Sequence, residues 1–376
     1  MKSDTNSLAT RTVSVFSALI QEALWHTGQG IVASLSEEET KEIFTLAEQQ
    51  ALLGLIVDTL LRCDVRMPKS FVFESVGLLE KIKQNSRLVN GGVARLNELL
   101  TQHEVDYVMV KGQTVAAYYP DPLLRQIGDI DFYCDAQNFK KAQRVIKAEW
   151  GISTTVEGNY KHAEFAYKHI LYEAHFSLIQ LFSKRNNSYW QQILHDDKGT
   201  IVNVDGVQVK TLSPTLHTLY IFLHLYNHLL DLGVGLRQFC DLAILLHSCK
   251  NDIDLTLLRS HLETLGLEKP YRACGTVLVD YLGLPASELG YELSDYDRKY
   301  KSRILDVVFY RGNMGYYHKR IGFSGWKNRI EIIGISTSHF FKFMALAPSY
   351  SCYWQWYEYR RKGKKVIRNI LKSLRG

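Results

Sequence analysis

Between residues 8 and 104, apolar residues recur every three or four positions, through Leu52, Leu53, Ile56, Val57, Leu60 and Leu61 and again through Leu78, Leu79, Ile82, Leu88, Val89 and Leu96. That spacing gathers them on one helical face, so the first hundred residues are predicted to be helical. From 105 to about 212 the pattern changes. The apolar run Tyr107 to Val110 stops at Lys111-Gly112 and gives way to Gln113–Tyr119, which reads as one or two helical turns. A strand is predicted over 128–133, a helix over Ala136–Ala148, and a further strand over Leu171–Leu178. Val202–Val209 reads as a hairpin around Asp205-Gly206. Beyond Pro214 helical patterns dominate, with a break near Gly312–Gly325. The fold class predicted is α+β: a small mixed β-sheet over 105–212, flanked by an N-terminal helical region (1–104) and a C-terminal one (213–376).

The chemistry concentrates in the middle segment. Asp129 and Asp131 occupy alternate positions of a predicted strand, so both carboxylates project from one face while Ile130 and Phe132 point into a core. Such a pair repels itself unless protons or a cation neutralise it, and hard oxygen ligands suit Mg²⁺ or Mn²⁺. Gly128 leaves room above the strand for a close approach. D-x-D also arises in exposed strands and turns, and the neighbouring residues narrow the reading. Lys111-Gly112 lies between a strand and a helix, where free N–H groups and a full positive charge favour phosphate. Arg125 follows the rigid Pro120-Asp121-Pro122 loop and comes four residues before Asp129, within reach of a triphosphate. On the third strand Glu173 and His175 share a face, opposite Tyr172 and Ala174, and Glu173 supplies a third carboxylate. Three such acids can hold two metals about 3.5–4 Å apart for in-line phosphoryl or nucleotidyl displacement.

In order, Lys111-Gly112, Tyr119-Pro120-Asp121-Pro122-Leu123-Leu124-Arg125, Gly128-Asp129-Ile130-Asp131 and Glu173-x-His175 resemble the nucleotidyltransferase superfamily typified by DNA polymerase beta. The resemblance is closest to its bacterial branch labelled uncharacterised nucleotidyltransferase, in which a Lys-Gly pair stands where the wider superfamily has Gly-Ser or Gly-Gly. Arg237 and Asp241 look like the branch's Arg-x-x-x-Asp helix, so the likeness runs over roughly 100–248. It implies a transfer of a nucleoside monophosphate from a nucleoside triphosphate to a hydroxyl acceptor. It further implies that Asp129 and Asp131 bind both metals and that Glu173 binds the catalytic one. Lys111, Gly112, Arg125, Gly128 and His175 would then belong to the nucleotide site. The serine that contacts phosphate in the wider superfamily is Gln113 here, which departs from that pattern. Two rival readings stay open: a glycosyltransferase whose D-x-D holds a metal on a sugar nucleotide, and an inactive relative that binds nucleotide.

Composition changes the picture at three points. The six cysteines are scattered without a C-x-x-C pair, which excludes a zinc ribbon or a disulfide framework and suggests a reducing, cytoplasmic setting. No apolar run is long enough to span a bilayer and no signal peptide is evident. Eight cations and no acid occupy Arg360–Arg375, so that removing them takes the net charge from +6 to −2. That tail is a candidate contact for RNA or another polyanion, or else a solvated helix. His217, His224 and His228 share a helical face, as do Arg237 and Asp241 four residues apart; packing accounts for the histidines more simply than a metal does, and an ion pair for the second set.

Overall fold

The protein is described by a computed structural model that covers residues 2–28, 31, 34–63, 65–154, 162–179, 181, 183–311, 326–357 and 359–360. The predicted break over 312–325 and the basic segment 361–376 lie outside the described residues. The chain divides into two units: one comprises Met1–Ile179, Asp197–Thr218 and Ile244–Asp252, the other Gln180–Asp196, Leu219–Ala243 and Ile253–Gly376. No described helix is long and apolar enough to cross a membrane.

The first unit begins with helices α1 (Lys2–Trp25), α2 (Glu37–Gln49), α3 (Leu53–Arg62) and α4 (Lys69–Gln102). Ser36 starts α2 with a capping box: its side chain accepts from Glu39 N, and the Glu39 carboxylate accepts from Ser36 N. Strand β1 (Val108–Val110), the short helix α5 (Gly112–Ala116), β2 (Ile130–Tyr133), α6 (Ala136–Trp150), β3 (His162–Tyr167) and β4 (Ile170–His175) follow. Asp135 caps α6 at its start and Gly151, at φ 71°, ends it in the left-handed conformation.

The sheet order is β1-β2-β4-β3, with β1 antiparallel to β2, β2 parallel to β4, and β4 antiparallel to β3. It is therefore a small mixed sheet, as the sequence predicts. One face is dry. Ile130, Phe132, Tyr172, Ala174, Ala163 and Phe165 pack there against Val89, Val93 and Leu96 of α4 and Phe139, Ala142 and Ile146 of α6. Gly92 is where α4 comes closest, since an added Cβ would stand 2.7 Å from Ile170 Cδ1 and 2.9 Å from Ile130 Cδ1. The opposite face carries two polar rungs. Val110, Asp131, Glu173 and Glu164 form one; Val108, Tyr133, His175 and His162 form the other. The period of two along each strand thus separates core from chemistry.

Strand β2 starts at Ile130, one residue later than the predicted alternation requires, and Asp129 precedes it. The reason lies in β1. Its pairing with β2 ends at Val110–Asp131, because the chain leaves the sheet at Lys111. Strand β4 likewise ends at His175, before the predicted limit of Leu178. The hairpin of β5 (Thr200–Val204) and β6 (Val207–Thr211) forms around Asp205-Gly206, both at positive φ, as predicted. It shields the free edge of β1, where Thr211 Oγ1 donates to the Met109 carbonyl at 2.7 Å.

The second unit contains α7 (Lys184–Asp196), α10 (Leu255–Leu265), α11 (Glu268–Asp280), α12 (Asp295–Arg311) and α13 (Trp326–Phe343), while α8 (Pro214–Leu230) and α9 (Leu236–Ser248) contribute residues to both units. Its core is aromatic, with Trp190, Tyr220, Tyr226 and Tyr271 wholly buried.

Candidate active site

Asp129, Asp131 and Glu173 come together on the polar face, one oxygen of each lying within 4.8 Å of the others. Sheet register fixes two of them, because Asp131 and Glu173 are direct partners across the parallel β2–β4 pair. The turn after β1 brings in Lys111, whose Nζ donates to Asp131 Oδ1 at 2.9 Å. From β4, His175 Nε2 donates to the same oxygen at 2.7 Å and stands 3.3 Å from Glu173 Oε2.

These contacts divide the charge unequally. Burial alone would raise Asp131, but Lys111 and His175 outweigh it and hold its carboxyl far below the usual range. Asp129 is pushed up to about 6, first by burial and then by the Asp131 and Glu173 charges, with only partial relief from Lys111. Burial opposes ionisation of Glu173 as well, yet the hydrogen bond from His175 keeps it lowered. In His175 burial is outweighed by hydrogen bonds to Asp131 and Glu173, which raise it. The repulsion among the three carboxylates thus falls mainly on Asp129.

Lys111 adopts φ 57° and ψ −150°, a region populated almost entirely by glycine. Strain of that kind is of order 1–3 kcal/mol and persists only where surroundings enforce it. Here the Lys111 carbonyl accepts from Thr114 N, Val115 N and Thr114 Oγ1, while Nζ is held by Asp131. Gly112 continues the turn at φ 42°, and a Cβ on it would lie 3.5 Å from the Asp129 carbonyl oxygen. The strain therefore sets the ammonium among the acids and lays the turn beside Asp129.

The loop before the acids is anchored by the N-terminal helices. Asp121 accepts from Leu123 N at 3.0 Å and pairs with Lys83 of α4 at 2.9 Å. Ser86 of α4 donates to the Leu123 carbonyl at 2.8 Å, and Leu53 N, where α3 begins, donates to Gln126 Oε1 at 2.9 Å. Arg125 is buried in this loop. A Cβ on Gly128 would meet no protein atom within 4 Å, so packing within the protein does not require glycine there.

A family model for uncharacterised nucleotidyltransferases matches residues 36–283. The chain belongs to this family. The match extends well beyond the 100–248 expected from motifs, and at its N-terminal side it takes in α2, α3 and α4, which include the helices that hold the Arg125 loop. An antigenic nucleotidyltransferase-like protein from Paracoccidioides brasiliensis is a similar solved structure: 14% identical, covering 57% of this chain and 94% of that one, with a TM-score of 0.33. No curated protein matches the chain.

In this nucleotidyltransferase-family chain Gln113 is buried, and its Nε2 makes no hydrogen bond with the described residues. An orphaned buried donor beside the Lys-Gly turn costs about 1–3 kcal/mol, which an anionic acceptor would recover. His162 escaped the sequence reading altogether. It lies directly across from His175 and its Nε2 is 3.0 Å from Glu164 Oε1. His224 and His228 pair with each other, Nε2 to Nε2 at 3.2 Å. Among the described residues, ligand atoms of the predicted trio His217, His224 and His228 do not converge. Arg237 and Asp241 lie four apart on α9, with Asp241 buried. All six cysteines are free thiols.

Proposed function

We propose that the protein is a metal-dependent nucleotidyltransferase that moves a nucleoside monophosphate from a nucleoside triphosphate to a hydroxyl acceptor and releases pyrophosphate. The observation that carries the reading is the convergence of Asp129, Asp131 and Glu173 within 4.8 Å beside the Lys111 ammonium. Family membership supports the reaction class. The acids fit a divalent cation: hard oxygen donors, an excess of negative charge, and one carboxyl, Asp129, held near 6 by burial and then by that excess. A Mg²⁺ or Mn²⁺ ion held by these three carboxylates supplies charge neutralisation for the triphosphate and activation of the acceptor hydroxyl.

The chain's own residues do the rest. Lys111 and His175 fix Asp131 from two sides, so that its carboxylate keeps one orientation without a ligand. Such fixed charges cost no reorganisation during the transfer, which is where most of the rate enhancement of phosphoryl chemistry arises. Gly112 and Gln113 offer N–H groups that have no partner within α5. Helix α5 is only five residues long, so these donors and Lys111, rather than a helix dipole, account for phosphate affinity. Arg125 is the second candidate phosphate partner. A glycosyltransferase would need only the acidic pair; the strained Lys111 and the third acid favour nucleotidyl transfer.

Calorimetry of the four nucleoside triphosphates with and without Mg²⁺ tests this. Binding that requires Mg²⁺ and disappears in Asp129→Asn is expected. In Glu173→Gln binding should persist while turnover falls by at least about a hundredfold, the loss of a principal electrostatic contributor. Equal binding with and without Mg²⁺ would remove the metal from the account.

A further inference from the structure

We propose that His162, Glu173 and His175 form a second cation site, one that takes a borderline transition ion such as Zn²⁺ rather than Mg²⁺. It goes beyond the nucleotidyltransferase reading and does not depend on nucleotide being transferred. One ligand atom from each of the three residues lies within 4.8 Å of the others. His175 Nε2 is 3.3 Å and His162 Nε2 4.0 Å from Glu173 Oε2. Two donors bound tetrahedrally at about 2.0–2.2 Å from zinc stand roughly 3.4 Å apart, so the His175–Glu173 pair already has that spacing and the His162 ring must move in by about 0.6 Å.

The placement is built into the sheet. His162 on β3 and His175 on β4 are register partners on the polar face, their ring centroids 5.0 Å apart, and Glu173 is two residues from His175 on the same strand. Backbone pairing thus sets three ligands before any ion arrives. Two imidazoles and one carboxylate favour zinc and its neighbours, whereas Mg²⁺ prefers oxygen alone. Such a triad leaves a fourth position for water or substrate. Glu164 Oε1, 3.0 Å from the same His162 Nε2, is positioned to fill it. Lys111 is a second partner of Asp131, so Asp131 keeps an ion pair when His175 turns to the ion. Glu173 then bridges the two cation sites.

The test uses untagged full-length protein, zinc alone and no nucleotide. Zinc calorimetry gives the affinity, and X-ray absorption at one equivalent counts imidazole ligands. Two imidazoles are expected in the wild type. His162→Gln should retain one and weaken zinc binding by at least about tenfold. Asp129→Asn should leave zinc affinity within about twofold while abolishing Mg²⁺-dependent nucleotide binding, so failure of this site and failure of the nucleotidyltransferase reading are told apart. If His162→Gln does not fold, His162→Cys replaces it and should bind zinc through one sulfur and one imidazole. Zinc binding that is absent, that lacks two imidazoles, or that is insensitive to His162 overturns the proposal.

Discussion

Two neighbouring carboxylates answer to opposite electrostatic rules. Asp129 holds its proton up to about 6 in the fold against an ordinary 3.8, so its contribution to stability declines as pH rises from about 4 to about 6. Asp131 is lowered, so its contribution is present above 3.8 and is lost as pH falls through its folded value. Asp129→Asn is therefore expected to stabilise the metal-free protein at pH 7 by roughly 1–3 kcal/mol relative to pH 4. Asp131→Asn should instead cost about 3 kcal/mol, because it removes the buried carboxylate that Lys111 and His175 share. Thermal melts of both variants at the two pH values decide this; similar shifts would refute the division of charge. On the proposed function Mg²⁺ binding displaces the Asp129 proton, so its apparent affinity is expected to fall by about tenfold per pH unit below 6. At Lys111 the usual preference inverts. Lys111→Gly should be more stable than Lys111→Ala by about 1–2 kcal/mol, since both lose the ion pair but only alanine keeps the strain. Denaturant titration of the pair tests it.

The elements that position the site differ in how plainly the sequence announces them. Strand β1, the Lys-Gly turn, β2 and β4 follow from apolar runs and alternation. Strand β3 did not. Its turn to β4 is Lys168-His169, both at positive φ (48° and 64°), where a tight hairpin ordinarily carries Asn-Gly. Without that signal His162 could not be placed opposite His175. Replacing Lys168-His169 with Asn-Gly should raise stability by about 0.5–1 kcal/mol. An unchanged or lower denaturation midpoint would contradict the turn geometry. The role of α4 was equally hidden, because helical periodicity says which face is apolar but not which strands it meets. Gly92→Ala should cost about 1–3 kcal/mol by overpacking Ile130 and Ile170, the residues that start β2 and β4.

At the scale of the whole molecule, the sequence located the acids, the Lys-Gly turn and the α+β class, because each rests on spacing within a few residues. It did not reveal that Lys83 and Ser86 tie down the loop bearing Arg125, since those contacts join residues 37 or 38 positions apart. The family match from residue 36 agrees with helices that belong to the same compact unit as the sheet. The basic segment from Arg360 is expected to be dispensable for nucleotide affinity, which a truncation after Tyr359 would show by unchanged calorimetry. The central claim is tested most directly by incubating the protein with α-labelled nucleoside triphosphates, Mg²⁺ and a broad pool of hydroxyl compounds, following label and pyrophosphate together. The account predicts transfer of labelled nucleoside monophosphate with one pyrophosphate released per transfer, lost in Asp129→Asn. Absence of both transfer and pyrophosphate with all four triphosphates, or release of nucleoside diphosphate from a sugar nucleotide instead, would contradict it.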